Sequence, residues 1–216
     1  MAKVVLSIPK LGVTARGWER EKEIYVISFT SDLAAVEKNS KLPDVVAAYN
    51  ETLPLVVPDV MKSALMQWVV ASVSNIFPRV RPDQPVSLSG SGILLYPNLD
   101  PGGLLANHFL IVESDEGKRR LGKILDDLVK DDVVNLAIGA LIDAAAVTQP
   151  LLGGLMKALV SQVPGILKKN KDDILFAHNH SGFDFDDYGL RPNENPSDFE
   201  VGNDRAFCTL RVRTRS

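Results

Sequence analysis

The chain has a single cysteine, Cys208, among 216 residues, which excludes an intrachain disulfide framework. In "AFCTLRVR" it alternates with polar positions and is expected to be a small apolar strand residue rather than a reactive thiol. A marked excess of charge is also lacking. Lys and Arg total 24 against 27 Asp and Glu, a net charge of −3, so bulk electrostatics give no general pull towards nucleic acid. Long apolar runs are missing too. Between Val133 and Leu167 the charged residues are Asp143 and Lys157, yet Pro150 and Gly153-Gly154 split the stretch into two arms. Each arm is shorter than the ~20 residues that span a bilayer. The N-terminal segment, interrupted by Pro9, lacks the apolar region and small-residue cleavage site of a signal peptide. A cytoplasmic setting is therefore the default expectation.

Enzyme signatures are scarce. "LSGSG" contains Gly90-Ser91-Gly92 without the Gly-x-Ser-x-Gly spacing of a nucleophile elbow, and a turn or bulge is expected there. "LLGGL" has no phosphate-loop lysine. There are three histidines. "HNHSGFD" sets His178 and His180 on one side of a strand, half of a zinc site, but His108 is the only other histidine, so a catalytic zinc centre would have to borrow carboxylates. A metal-dependent hydrolase is the least favoured class, and a non-enzymatic protein is expected.

What is present is an ordinary globular composition, 45% hydrophobic and 24% charged, in a chain long enough to bury a core. "VVLSIPKLGV", "EIYVISFTS", "PVSLSGSGILLYP" and "LLANHFLIVES" carry the β-branched and aromatic residues of strands, the last two joined by the turn "NLDPGG". "QWVVASVSN" fits a strand as well as a helix. From Ser114 the pattern changes to a helical stripe of Leu121, Ile124, Leu125 and Leu128, and the two apolar arms follow. After "KKNKDD" strand character resumes in "ILFAH" and closes with the clean alternation of "AFCTLRVRT". Helices bracketed by strands imply an insertion. The expected fold is mainly β: one antiparallel β-sandwich of about eight strands over residues 1–216, with an inserted α-helical block near 114–170.

"GFDFDDYGLRPNENPSDFEVG" holds the densest chemistry. It resembles the segment around the third calcium loop of the calcium- and lipid-binding "C-two" sandwich of protein kinase C and synaptotagmin. There a strand enters an aromatic-Asp-aromatic-Asp pattern, and the loop ends in Asp-Phe with a glycine shortly after. Phe183-Asp184-Phe185-Asp186 match the first part, and Asp198-Phe199 with Gly202 match the end of a longer loop. "VVLSIPKLGVTARGWEREKEIYVISF" is similar to the family's first strand, loop and second strand, with Tyr25-Val26 in place of the end of Pro-Tyr-Val. Lys22-Glu23 stand where the family has Ser-Asp, Ile24 replaces the proline, and the earlier loop aspartate has no clear equivalent. The helical block is not a family feature. The resemblance implies a calcium site and an anionic or phospholipid partner.

The residues support the same expectation chemically. Calcium takes six to eight oxygens, supplied by converging carboxylates. On a strand Asp184 and Asp186 would point to one side. Asp198 from the far end of the loop and Glu23 from the loop at the same end of the sandwich are expected to complete the shell, with Asp187 joining if the chain turns. The competing expectation is a solvated acidic turn. Arg211, Arg213 and Arg215 alternate along the last strand as an exposed face, which either deters edge pairing or meets a phosphate. Two functional classes follow: a calcium-dependent binding module, or a structural subunit that packs into a protein partner or oligomer through its apolar helices.

Overall fold

A computed structural model describes residues 2–14, 21–34, 69–82, 84–114, 163–165, 167–168 and 172–215. In chain order the strands are β1 (Lys3–Val13), β2 (Lys22–Asp32), β3 (Val70–Val73), β4 (Phe77–Val80), β5 (Val86–Ser87), β6 (Ile93–Leu99), β7 (Leu104–Glu113), β8 (Asp173–Phe183), β9 (Ser197–Gly202) and β10 (Ala206–Arg215). They form two antiparallel sheets, one ordered β5-β1-β10-β9 with β6 also on β1, the other β3-β2-β7-β8 with β4 also on β2. Strands β3 and β4 pair with successive stretches of β2, and β5 and β6 with successive stretches of β1. Among the described residues, ten strands thus make eight crossings.

Alternation explains the outer strands. In β10, Cys208, Leu210 and Val212 are buried, while Thr209, Arg211 and Arg213 lie on the other face. Burial pushes the Cys208 thiol up to about 12, so it stays protonated and unreactive near neutral pH. Strands β2 and β7 are buried almost throughout, which accounts for their near-continuous apolar sequences. Their inward residues, among them Ile24, Val26, Leu105, Phe109 and Ile111, join Val4, Leu6, Leu210 and Val212 in the core between the sheets. Phe109 meets Phe176 edge-on, with ring centroids 6.2 Å apart.

The outer face of the second sheet is apolar as well. Tyr25, Ile27, Phe29, Leu110 and Val112 pack there against Val163 and Leu167, which are 0% and 1% exposed. The Tyr25 hydroxyl donates to Asp172 Oδ2 at 2.7 Å, tying the chain entering β8 to this face. A hydrogen bond to a buried carboxylate is worth about 1.5–3 kcal/mol. Apart from 163–165 and 167–168, which are helical, the expected block near 114–170 falls outside the described residues. No helix among the described residues is long and apolar enough to cross a membrane.

The turn expected at Gly90-Ser91-Gly92 is present. Gly92 has φ +72°, and a Cβ there would lie 2.2 Å from the Ile8 carbonyl oxygen, so glycine is required.

Candidate acidic rim

Strand register fixes what each end of the fold carries. Asp32 pairs with Leu105, and Leu104 pairs with Phe183. The end of β2, the start of β7 and the end of β8 therefore share one rim. At the other end, Ile24 pairs with Glu113, which pairs with Asp173. Glu23 lies there, with its carbonyl accepting from Ser114 N at 2.8 Å. About nine residues at ~3.3 Å each, roughly 30 Å, separate it from the 184–189 segment. The expectation that Glu23 joins the aspartates is corrected. β1 and β2 lie in different sheets, and the end of β1 and the start of β2 sit at the end of the fold remote from the end of β8.

The acidic motif is also not a strand. β8 stops at Phe183, and Asp184–Gly189 forms a tight 3-10 turn, so a side-chain period of two does not apply to Asp184 and Asp186. Asp187, Tyr188 and Gly189 have φ of 50°, 59° and 82°. Asp186 Oδ1 holds this turn by accepting from Phe183 N at 2.8 Å and Gly189 N at 3.2 Å. Tyr188 is buried in the core, and its backbone crosses Gly182 so closely that a Cβ there would lie 2.7 Å from the Tyr188 Cα. Asp187 is exposed. The turn is a product of long-range packing, which local pattern does not reveal.

Asp198 sits at the start of β9, directly opposite Arg211. Both its oxygens accept from that guanidinium, each at 2.7 Å. The bonds to Arg211 hold the Asp198 carboxyl below its usual range. As an exposed pair it contributes little stability. The structure thus places Asp198 in an ion pair with Arg211 and, among the described residues, shows no contact between it and the other aspartates.

Two other aspartates reach the rim. Tyr96 donates to Asp32 Oδ2 at 2.8 Å. Asp100, in the β6–β7 turn, accepts from Gly102 N through Oδ1 at 2.9 Å. Burial raises the Tyr96 phenol far above its usual value, and the charges of Asp32 and Asp100 reinforce the shift, with Tyr188 adding to it. The Tyr96 hydroxyl thus ties β6 to the end of β2. Ala34 N donates to Pro101 O at 3.1 Å and closes the β2 end onto the β6–β7 turn. Sequence reasoning missed Asp32 and Asp100. "TSD" and "LDPGG" are ordinary strand-end and turn aspartates until strand order brings them together. Among the described residues, no three His, Cys, Asp or Glu side chains are grouped to hold a metal ion.

The histidines do not converge on a zinc centre. His178 and His180 share the inward side of β8, as expected. His178 lies against Phe109 and Phe176, with centroids 5.5 and 6.1 Å away, and His180 Nε2 is 3.3 Å from the Tyr188 carbonyl oxygen. His108 occupies the opposite face, its Nδ1 bonded to Asn179 Oδ1 and its Nε2 buried without a hydrogen-bond partner. No protein-family model matches the chain, and no curated protein shows significant similarity to it.

Proposed function

We propose that the chain is a non-enzymatic binding module whose contact end is this rim, where calcium bridges Asp32, Asp100 and Asp186 to an anionic partner. The observation that carries the reading is that the ends of β2, β6 and β8, which lead to Asp32, Asp100 and Asp186, share one rim, with Tyr96 bonded to Asp32. Mutual repulsion between carboxylates brought to one end falls when a divalent cation enters, and oxygen ligands from separate connections suit calcium's flexible coordination. The three carboxylates share a rim but are not grouped to hold an ion among the described residues. The ion must complete the assembly, so the expected dissociation constant is on the order of 10⁻⁴–10⁻³ M.

Calorimetric titration tests this directly. Calcium gives a saturable heat, Asp100→Asn weakens binding by at least tenfold, and Glu23→Gln leaves it unchanged. No heat with millimolar calcium sinks the reading. The alternative of a subunit packing into a larger assembly through its apolar block draws less support, because Val163 and Leu167 at the end of that block are buried on the chain's own sheet. A hydrolase draws the least, since the three histidines lie on two faces.

A further inference from the structure

β8 ends the second sheet, ordered β3-β2-β7-β8, and among the described residues no strand pairs with its far side. The hydrogen-bond pattern fixes which of its backbone groups face that open edge. Val26 turns both of its own away from β7: its N donates to Ser74 Oγ at 2.9 Å, and its carbonyl accepts from Ser74 N at 2.8 Å. Val26 pairs with Ile111, and Ile111 with Phe176. Pairs along an antiparallel ladder alternate between hydrogen-bonded and non-bonded. Phe176, His178, His180 and Gly182 therefore bond to β7, while Ala177, Asn179 and Ser181 turn their N–H and C=O groups outward.

These three residues are exposed, whereas Leu110, His108 and Ala106, which face them across the ladder, are buried. Just before them the edge is already closed. Asn203 Nδ2 donates to Leu175 O at 2.9 Å, and Arg205 Nη1 to Ile174 O at 3.1 Å. From Phe176 to Phe183 there is no proline and no Lys, Arg, Asp or Glu, the residues that ordinarily guard an edge. The edge of the other sheet is guarded: β9 is short, Pro196 precedes it, and Asp198 and Glu200 are exposed along it. On β8, open donors and acceptors recur at every second residue, roughly 6.6 Å apart. That spacing matches the backbone of another extended strand.

We infer that the open edge of β8 takes up an extended peptide segment of a protein partner as an added strand, through the backbone groups of Ala177, Asn179 and Ser181. Charge narrows the occupant. No acid or strong base stands between Ile174 and Phe183, and the strand leads into the turn where Asp186 and Asp187 are exposed. The segment that fits is uncharged at its centre and basic at the end beside that turn. A second copy of the chain fits poorly, because antiparallel pairing of two β8 strands about Asn179 sets the exposed Asp173 of each against the acidic turn of the other. Ala177 and Ser181 are small, so the backbone supplies most of the affinity. The inference does not rest on the calcium reading.

Amide exchange of the full chain, followed by NMR with a calcium chelator present, is the test. The probe is a synthetic nonapeptide of alternating threonine and valine with lysine at each end. In the free chain the amides of Ala177, Asn179 and Ser181 exchange fast and those of His178 and His180 slowly; the probe slows the first three. A probe ending in glutamate binds about fivefold more weakly. A177P/S181P binds roughly tenfold more weakly or worse, since two edge donors are lost while the bonds to β7 are kept. Melting confirms that this variant keeps its fold. Should it not fold, a probe N-methylated at every central residue carries the test on the parent chain, with the same loss expected. The inference is overturned if the three amides are slow in the free chain or unaltered by the probe. It is equally overturned if the proline variant, the methylated probe or the glutamate probe binds like its reference. A mass that rises with concentration without the probe, and stays monomeric in A177P/S181P, overturns it in favour of a second copy. None of these readouts involves the calcium heat, so failure here leaves the acidic rim standing, and failure of the calcium titration leaves the edge standing.

Discussion

Phe109→Ala is expected to destabilise the chain by about 3–5 kcal/mol, the range for removing a buried aromatic ring from a packed core. Phe109 is fully buried between the sheets and touches the rings of Phe176 and His178. Its loss removes apolar burial, the edge-on contact and the support beneath β8 together. β8 leads directly into the Asp184–Gly189 turn, so loosening it also loosens the acidic rim. Since small domains are stable by only about 5–15 kcal/mol, urea unfolding should register a large fall in the midpoint. Leu94→Ala, at a half-exposed position on β6, should change stability by no more than ~0.5 kcal/mol. If the two variants unfold alike, the sheets do not pack through Phe109.

Acidification is the second large effect. All three histidines are held below their ordinary range, mainly by burial. The charges of His180 and His108 add to the lowering at His178. At His108 the Asn179 bond opposes it, and at His180 the Tyr188 carbonyl and the charge of Asp186 do. Folded histidines therefore stay neutral below ~6.5, where the unfolded chain takes up protons. Stability contributed by these neutral groups is complete above that pH and falls as the pH drops through it towards the lower folded values. Each proton taken up on unfolding steepens the fall by about 1.4 kcal/mol per pH unit. Asp198 has the usual carboxylate sign: its contribution is complete above the ordinary carboxylate value of ~3.9 and is lost as the pH falls from there through its own lowered value. Between about pH 7 and 5 the loss should therefore belong to the histidines. Unfolding free energies across that interval check it, with His108→Gln reducing the slope. A flat profile, or one rising as the pH falls, contradicts neutral burial.

Much of the sandwich can be read from the chain. The alternation Cys208, Leu210, Val212 announces an outer-sheet strand, and the unbroken apolar runs of β2 and β7 announce central strands covered on both faces. The site was harder because it depends on counting crossings. Each crossing moves the chain to the other end, and among the described residues five separate the end of β1 from the end of β8: β2, β3 with β4, β5 with β6, β7, and β8. An odd number places Glu23 opposite the acidic turn. Two crossings are split between short strands, and no local pattern tells a split crossing from two full ones. For the same reason Asp32 and Asp100 looked unremarkable. They matter because β2 ends where the β6–β7 turn begins, beneath the hydroxyl of Tyr96. The departure of Asp184–Gly189 from strand geometry has a related cause: burial of Tyr188 across Gly182 decides it, not the aspartates that mark the motif.

Asp32, Asp100 and Asp186 are proposed to bind one cation at the rim where Tyr96 bonds to Asp32. Terbium luminescence excited through tyrosine measures that most directly, because the lanthanide takes oxygen ligands as calcium does and emits strongly only beside an excited ring. Saturable emission is predicted, displaced by calcium, abolished by Asp32→Asn with Asp100→Asn and reduced in Tyr96→Leu. Emission unaltered in the double aspartate variant, or none in the parent, contradicts the account.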